Sequence, residues 1–450
     1  MTEPGRPRLN RIAGPLLGEF MLGMSVAMVC LWLASRSSDA AAGAFGLASQ
    51  VLETLFVLFR VLAIGVSVAL TQALGAGQNE TAERTARAVL GASTWAGLLA
   101  AACVLLGDGL MLALLNAPQA VRPLASPLLQ LLAPALLLEA YNLSLAAILR
   151  AHLQARACLR VMLLMHGLHL LLAIPLMQGV GAWDGLGLPG YALAMLVSRA
   201  VGLAVHLWLW RRKLQIGPRW RDFWVLRLPV LRPVLRIGLP GAGTEMVYRL
   251  AFMVSLAATA SLGVSALATH SYTLQLLKYV VLISLAIGWA CEIMVGRLVG
   301  AGDFRAANVL VRKAVRNGLA ASGGLALLAA LGAPWLLPVF TRDAQVIAAA
   351  QTLLWLSLAL ETGRVFNIIV AGALRATGDA VYPALASVGS MALVLGAGSV
   401  WLGKLFGLPG IWIAYALDEW LRGLLLLARW LVHGWLPHAR DSQRRQRAPS

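Results

Sequence analysis

The sequence is built from apolar runs of the length that a helix needs to cross a bilayer, about 20 residues. Twelve such runs can be traced, the first at 12–35 and the last at 407–433. They are rich in Leu and Ala and lack the alternation of apolar and polar positions expected of barrel strands. Only 12% of the residues are charged and 60% are hydrophobic, whereas a soluble domain is about 25% charged. This balance excludes a soluble enzyme, a disordered chain and a small disulfide scaffold. The four cysteines, Cys30, Cys103, Cys158 and Cys291, lie in or beside apolar runs without CxxC spacing, so they form no disulfide framework.

The formal net charge is +18. On a soluble protein that excess would point to nucleic acid, so the positions of the charges decide. With the N-terminus inside and the runs alternating, 27 of the 37 Lys and Arg residues fall on the inner side. Only Arg36, Arg122, Arg342 and Lys404 fall outside. Cytoplasmic loops collect Lys and Arg in this way. The expectation is a multi-pass protein of the bacterial inner membrane, with both termini cytoplasmic and no nucleic-acid partner.

The chain also repeats itself. Leu74-Gly-Ala-Gly77 returns as Val299-Gly-Ala-Gly302, a shift of 225. The same shift carries Pro15 to Pro240, Gln50 to Gln275, Asn142 to Asn367 and Leu149-Arg-Ala151 to Leu374-Arg-Ala376. Gly187-Leu-Pro-Gly190 returns as Gly407-Leu-Pro-Gly410 with a shift of 220. Repeats of this kind are a transporter plan. The expected fold is an all-α polytopic membrane protein with 12 transmembrane helices in two pseudo-symmetric six-helix bundles. The expected division is an N-lobe at 1–210, a basic cytoplasmic linker at 211–233, a C-lobe at 234–435 and a basic cytoplasmic tail at 436–450. The Gly-Ala-Gly loops are read as helix ends, because Gly supplies the C-cap conformation.

These residues resemble the multidrug and toxic compound extrusion (MATE) family. The strongest points are Gln72-Ala-Leu-Gly-Ala-Gly77 and Gly296-Arg-Leu-Val-Gly-Ala-Gly302, then Leu374-Arg-Ala-Thr-Gly-Asp379 and Gly263-Val-Ser-Ala-Leu-Ala-Thr-His270. The resemblance implies two six-helix lobes around a V-shaped cleft. It also implies a secondary active transporter that exports organic cations or amphiphilic drugs by alternating access. That antiport would be coupled to H⁺ or Na⁺, with no other cofactor, in a monomer with small-molecule and lipid partners. A flippase of lipid-linked or polysaccharide precursors is the alternative, and a membrane-embedded lipid-modifying enzyme a more distant one. No nucleotide motif or nucleophile–base pair points to an enzyme.

An ionisable residue inside a membrane is costly and marks a functional candidate. On helix 10, Glu361, Arg364 and Asn367 share a face, and Glu361 can pair with Arg364. In the first repeat, Glu139 stands in the column of Arg364, with Asn142 one turn on. On helix 7, Glu245 is a candidate proton carrier, or a structural partner of Arg249, with Tyr248 between them. On helix 12, Asp418 and Glu419 are helical neighbours of Arg422; adjacent acids point about 100° apart, so one of them at most is expected to face a cleft. His166 and His169 on helix 5 are proton-relay candidates, since histidine titrates near neutral pH, and no third ligand suggests a metal. Glu53 on helix 2 completes the coupling candidates. Many prokaryotic members of the resembled family carry an Asp in mid-helix 1; here Cys30 stands near that position, so coupling would rest on the other acids or on the helix-5 histidines.

Overall fold

The computed structural model describes residues 9–215 and 217–447. Arg6 and Arg8 of the charge pattern, and the last three residues of the tail, lie outside the described residues. No β-strand occurs among the described residues; a single bridge joins Val180 to Trp183. The helices are α1 (Asn10–Ser37), α2 (Asp39–Gly75), α3 (Asn79–Leu114), α4 (Arg122–Ala151), α5 (Ala155–Gln178) and α6 (Leu188–Leu209). The second repeat has α7 (Leu228–Ser261), α8 (Val264–Ala301), α9 (Phe304–Val339) and α10 (Ala344–Thr377). Its last two helices, α11 at 381–406 and α12 at 407–431, are one continuous run broken at Gly407. A shorter α13 (Leu436–Arg447) follows.

Ten segments are long and apolar enough to span by length and composition alone, with 381–431 counted once. The break at Gly407 divides that segment in two. The twelfth span is α7, 34 residues long, whose Glu245 and Arg249 lower its mean hydropathy. The outer surface fits this reading: Leu106 is 89% exposed and Trp335 77% exposed. Large apolar side chains facing outward suit a lipid surround.

Helices α3 and α9 begin several residues before the apolar runs at 86 and 309. The Arg-bearing segments after the Gly-Ala-Gly loops are therefore the first turns of these helices. Asp303 caps α9 by accepting the Ala306 backbone N–H at 2.9 Å, which satisfies one of the orphan donors of a helix start.

Contacts divide the chain into two compact units. Among the described residues, the N-unit holds Gly18–Leu70 and Asn79–Gly238; the C-unit holds 9–17, Thr71–Gln78 and 239–447. The units are thus not cut at the linker. The start of α7 packs in the N-unit, where a Cβ on Gly238 would lie 1.9 Å from the Val61 carbonyl oxygen. The tip of α2 packs in the C-unit.

That tip explains why each Gly-Ala-Gly motif has two glycines. The first is not a cap: it lies within the helix, where a Cβ on Gly75 would meet the Arg297 carbonyl oxygen at 2.1 Å. A Cβ on Gly300 would meet the Gln72 carbonyl oxygen at 2.0 Å. Only glycine lets the two backbones approach this closely. The second glycine takes the left-handed conformation that ends the helix, φ 75° at Gly77 and 83° at Gly302. Gln72 then donates from Nε2 to the Ala376 carbonyl at 2.8 Å, tying the tip of α2 to the end of α10. The reading of both Gly-Ala-Gly motifs as helix ends holds, with the second glycine of each supplying the terminating conformation.

The Gly-Leu-Pro-Gly pair forms the same hairpin twice. Gly187 and Gly407 both have φ of 62°. Pro189 and Pro409 then fall in the first turn, where no backbone N–H is needed. A Cβ on Gly190 would lie 2.3 Å from the Leu176 carbonyl oxygen, and one on Gly410 2.1 Å from that of Leu402. Each unit buries its own apolar core, around Leu33, Phe59, Leu129 and Leu136 in one and around Leu353, Leu395, Ile411 and Trp412 in the other.

Candidate functional site

In the C-unit, α10 and α12 bring six sequence-predicted residues into one buried network. Arg364 Nη1 donates to Glu361 Oε1 at 2.5 Å, and Arg364 Nε to Glu419 Oε1 at 3.2 Å. Asn367 donates to the other Glu419 oxygen at 2.8 Å. Arg422 pairs with Asp418 at 2.5 Å and with Glu419 at 3.1 Å. The two clusters read separately along the sequence are one site, and Asp418 and Glu419 both belong to it. Their divergence around the helix is bridged because Arg422 lies three and four residues on, between them.

A π-helical turn at Met391–Ala397 follows Ser390 in α11. Ser390 donates its hydroxyl to Asp418 Oδ1 at 2.7 Å. Tyr248 lies within electrostatic reach of Arg364, Glu419, Arg422 and Asp418 and stacks toward Phe252 at 6.3 Å. An aromatic cluster continues from there. Phe252, His270, Trp412 and Tyr415 have ring centroids 5.8–6.3 Å apart. The Trp412 indole N–H donates to His270 Nδ1 at 3.1 Å.

The network holds three carboxylates, Glu361, Asp418 and Glu419, against two guanidiniums. Glu361 is fully buried and its Oε2 has no hydrogen-bond partner. Burying an uncompensated charge is expensive, and this oxygen is where the network leaves a buried carboxylate atom without a partner.

The N-unit places a related pair at the matching positions. Glu139 on α4 binds Arg199 on α6 at 2.9 Å. With the two repeat shifts, Glu139 matches Arg364 and Arg199 matches Glu419. The same interhelix bond is kept and its polarity is reversed. Asn142 donates to the Arg199 carbonyl at 3.0 Å and its oxygen meets His206 Nδ1 at 2.9 Å. Here one carboxylate meets one guanidinium.

The other predicted residues make pairs of their own. Glu245 pairs with Arg249 at 3.5 Å along α7, both partly exposed. Glu53 pairs with Arg60 at 3.5 Å along α2, with its side chain 48% exposed. His169 is buried, with Nε2 3.4 Å from Cys30 Sγ and Nδ1 3.5 Å from the Ser198 hydroxyl. His166 is buried on the same helix, and its Nδ1 has no partner.

Sequence reasoning missed Arg199, His206 and His270 as site residues. Arg199 was detectable, because the shift that aligns Gly-Leu-Pro-Gly places it in the column of Glu419. It also read Arg150 and Arg375 as plain inner-face charges. Both are instead tied into ion pairs, Arg150 with Glu19 at 2.8 Å and Arg375 with Glu292 at 2.8 Å.

Comparison with known proteins agrees with this architecture. The MatE family model matches residues 15–174 and 240–401, one stretch in each repeat. The chain is 29% identical over 432 residues to the uncharacterized transporter YisQ of Bacillus subtilis, covering 95% of this chain and 94% of that one. It is 28% identical to the probable multidrug resistance protein NorM of Pseudomonas putida, covering 91% and 90%. Among solved structures, the fold matches a MATE protein in the bent conformation with a TM-score of 0.86, at 19% identity over 96% of both chains. It matches the Vibrio cholerae MATE transporter VcmN with a TM-score of 0.83, at 20% identity over 96% of this chain and 97% of that one. The chain is a multi-pass membrane protein and belongs to the MatE family of transporters.

Proposed function

We propose that this transporter is a proton-coupled antiporter that exports organic cations or amphiphilic drugs across the bacterial inner membrane, with both termini in the cytoplasm. The observation that carries the reading is the surplus carboxylate of the C-unit network. Glu361 is the coupling residue: a proton on its unpartnered oxygen brings the network to charge balance. Release of that proton restores the negative charge that attracts a cationic substrate. Proton and substrate thereby compete, and each shifts the population of alternating-access states by its differential affinity.

A proton suits this site better than Na⁺. The near neighbour of Glu361 is the Arg364 guanidinium, which repels a metal cation but tolerates a neutral acid. In the N-unit, Cys30 stands near the position where many members of the resembled family carry an Asp, and its neighbour is a histidine nitrogen. The likeness to the NorM proteins, named as probable multidrug resistance proteins, supports the substrate class, as does the aromatic cluster beside the network, since aromatic faces attract organic cations.

The test is efflux of a cationic dye from reconstituted vesicles under an imposed pH gradient and, separately, an imposed Na⁺ gradient. Efflux driven by the pH gradient alone is expected. Efflux driven by Na⁺ alone overturns the proton assignment. No response to either gradient across a broad ligand panel favours a flippase of lipid-linked precursors.

A further inference from the structure

The two repeats differ in what covers one matching groove. In the N-unit, the linker folds as a short 3₁₀ turn, Trp220–Phe223, onto α3. Thr94 donates to the Phe223 carbonyl, and the Trp95 indole donates to the Trp224 carbonyl at 3.0 Å. Val225 presses its carbonyl oxygen against Gly91, where a Cβ would lie 2.4 Å away. The turn also delivers a buried carboxylate, Asp222, to within 3.8 Å of Arg87. That groove is filled by a segment with three aromatic side chains, Trp220, Phe223 and Trp224, and one acid, Asp222, which also pairs with Arg227 at 3.0 Å.

The shift of 225 maps Arg87, Gly91 and Thr94 onto Arg312, Arg316 and Leu319 of α9. There no such segment is supplied among the described residues. Instead an open groove of about 230 Å³ runs between α9 and α12, lined by Val315, Leu319, Leu427 and Leu431, with Arg312 and Arg316 on the same rim. The buried indole of Trp430 lies under it, the repeat counterpart of Trp210. Both arginines are exposed. They stand four residues apart on one helix face, where like charges repel. The sequence has no acidic residue anywhere in 304–342 or 420–440.

We propose that this groove binds an anionic phospholipid, with its phosphate between Arg312 and Arg316 and an acyl chain along Val315, Leu319, Leu427 and Leu431. The phosphate takes the place that Asp222 takes in the first repeat, and the acyl chain takes that of the linker turn. Arg is suited to phosphate because its fork donates two parallel hydrogen bonds. Basic sites between transmembrane helices at the cytoplasmic face select anionic headgroups. The choice of leaflet rests on the proposed orientation; the groove and its charges do not, and the test below needs no transport.

The full-length protein is reconstituted in vesicles of equimolar phosphatidylglycerol and phosphatidylcholine and extracted, and its retained lipid is read by native mass spectrometry. Wild type is expected to retain phosphatidylglycerol in preference to phosphatidylcholine. R312Q/R316Q, at exposed positions, is expected to lose it. Leu427→Trp is expected to lose it too, because the indole fills the groove while both charges stay. R440Q/R444Q removes two exposed charges from α13 and is expected to retain the lipid. Equal retention of the two lipids overturns the proposal. So does equal loss in R440Q/R444Q, which marks general surface charge, or full displacement by inorganic phosphate, which marks a plain anion site. If Leu427→Trp fails to fold, the outcome for R312Q/R316Q decides.

Discussion

The polar layer of the N-unit and that of the C-unit start from the same geometry and differ in charge balance. In both, the fourth helix of the repeat is bonded to the sixth by an Arg–Glu pair, at 2.9 Å in one and 3.2 Å in the other. In the N-unit the pair is balanced, one carboxylate to one guanidinium. In the C-unit, the reversed pair gains Glu361, Asp418 and Arg422 and carries one negative charge too many. The lesson is that a duplicated scaffold can keep an interhelix bond balanced in one copy and unbalance it in the other, which is where the proposed proton site lies. An Arg–Glu bond is indifferent to which helix supplies which charge, so the polarity was free to invert.

The comparison can be broken first at the charges. Neutralising Glu361 leaves two carboxylates against two guanidiniums, so E361Q is expected to abolish gradient-driven efflux while its thermal unfolding temperature holds or rises. Neutralising Glu139 does the opposite. It leaves the half-buried Arg199 uncompensated, a cost below the roughly 3–5 kcal/mol of breaking a fully buried pair. E139Q should therefore lower the unfolding temperature, with transport per folded molecule still coupled to the gradient. A similar temperature drop in both variants would mean that the two layers are equivalent.

The swap Glu139→Arg with Arg199→Glu gives the N-unit the polarity of the C-unit. It should recover most of the stability lost by either single change, because the pair is structural there. Failure to recover would show that the surroundings of Asn142 and His206 fix the sign. A double-mutant cycle on the purified protein measures this coupling.

A steric prediction tests the packing of the α2 tip. Gly300→Val puts a side chain about where the Gln72 carbonyl oxygen lies, so the yield of folded protein should collapse. Gly14→Ala is the control, since nothing lies within 4 Å of its Cβ position. Size-exclusion profiles after extraction distinguish the two outcomes.

The smallest effect is expected at Cys30→Ser. The contact with His169 is long, at 3.4 Å, and a hydroxyl preserves a polar partner. Stability should change by about 1 kcal/mol or less, and coupling should persist. Loss of coupling in this variant would move the proton site to the N-unit.

Much of the fold could be read from the sequence because bilayer length and the repeat are strong signals. The helix turns at Gly187 and Gly407, and the loop glycines Gly77 and Gly302, follow from residues visible in the sequence. The charged first turns of α3 and α9 were visible too, as Arg-bearing segments directly after the Gly-Ala-Gly loops, although they lie outside the apolar runs. The merging of the α10 and α12 clusters was not visible at all. Neighbours along one helix follow from spacing, but the bond from Arg364 to Glu419 depends on how two helices pack. The inverted pair was hidden for a further reason: the repeat shift falls from 225 to 220 before α6. The residues Gly179–Leu186, which precede that helix in the first repeat, have no full counterpart in the second. Charges of opposite sign do not align by identity, so Arg199 and Glu419 look unrelated until that offset is applied.

The account turns on Glu361 as the surplus, proton-accepting carboxylate, and it is tested most directly by proton flux. The measurement is substrate-induced proton movement in vesicles containing wild type or E361Q, with both shown to be folded by thermal unfolding. Proton counterflow in wild type and none in E361Q, at equal or higher stability, is the predicted result. Undiminished proton counterflow in folded E361Q would contradict it.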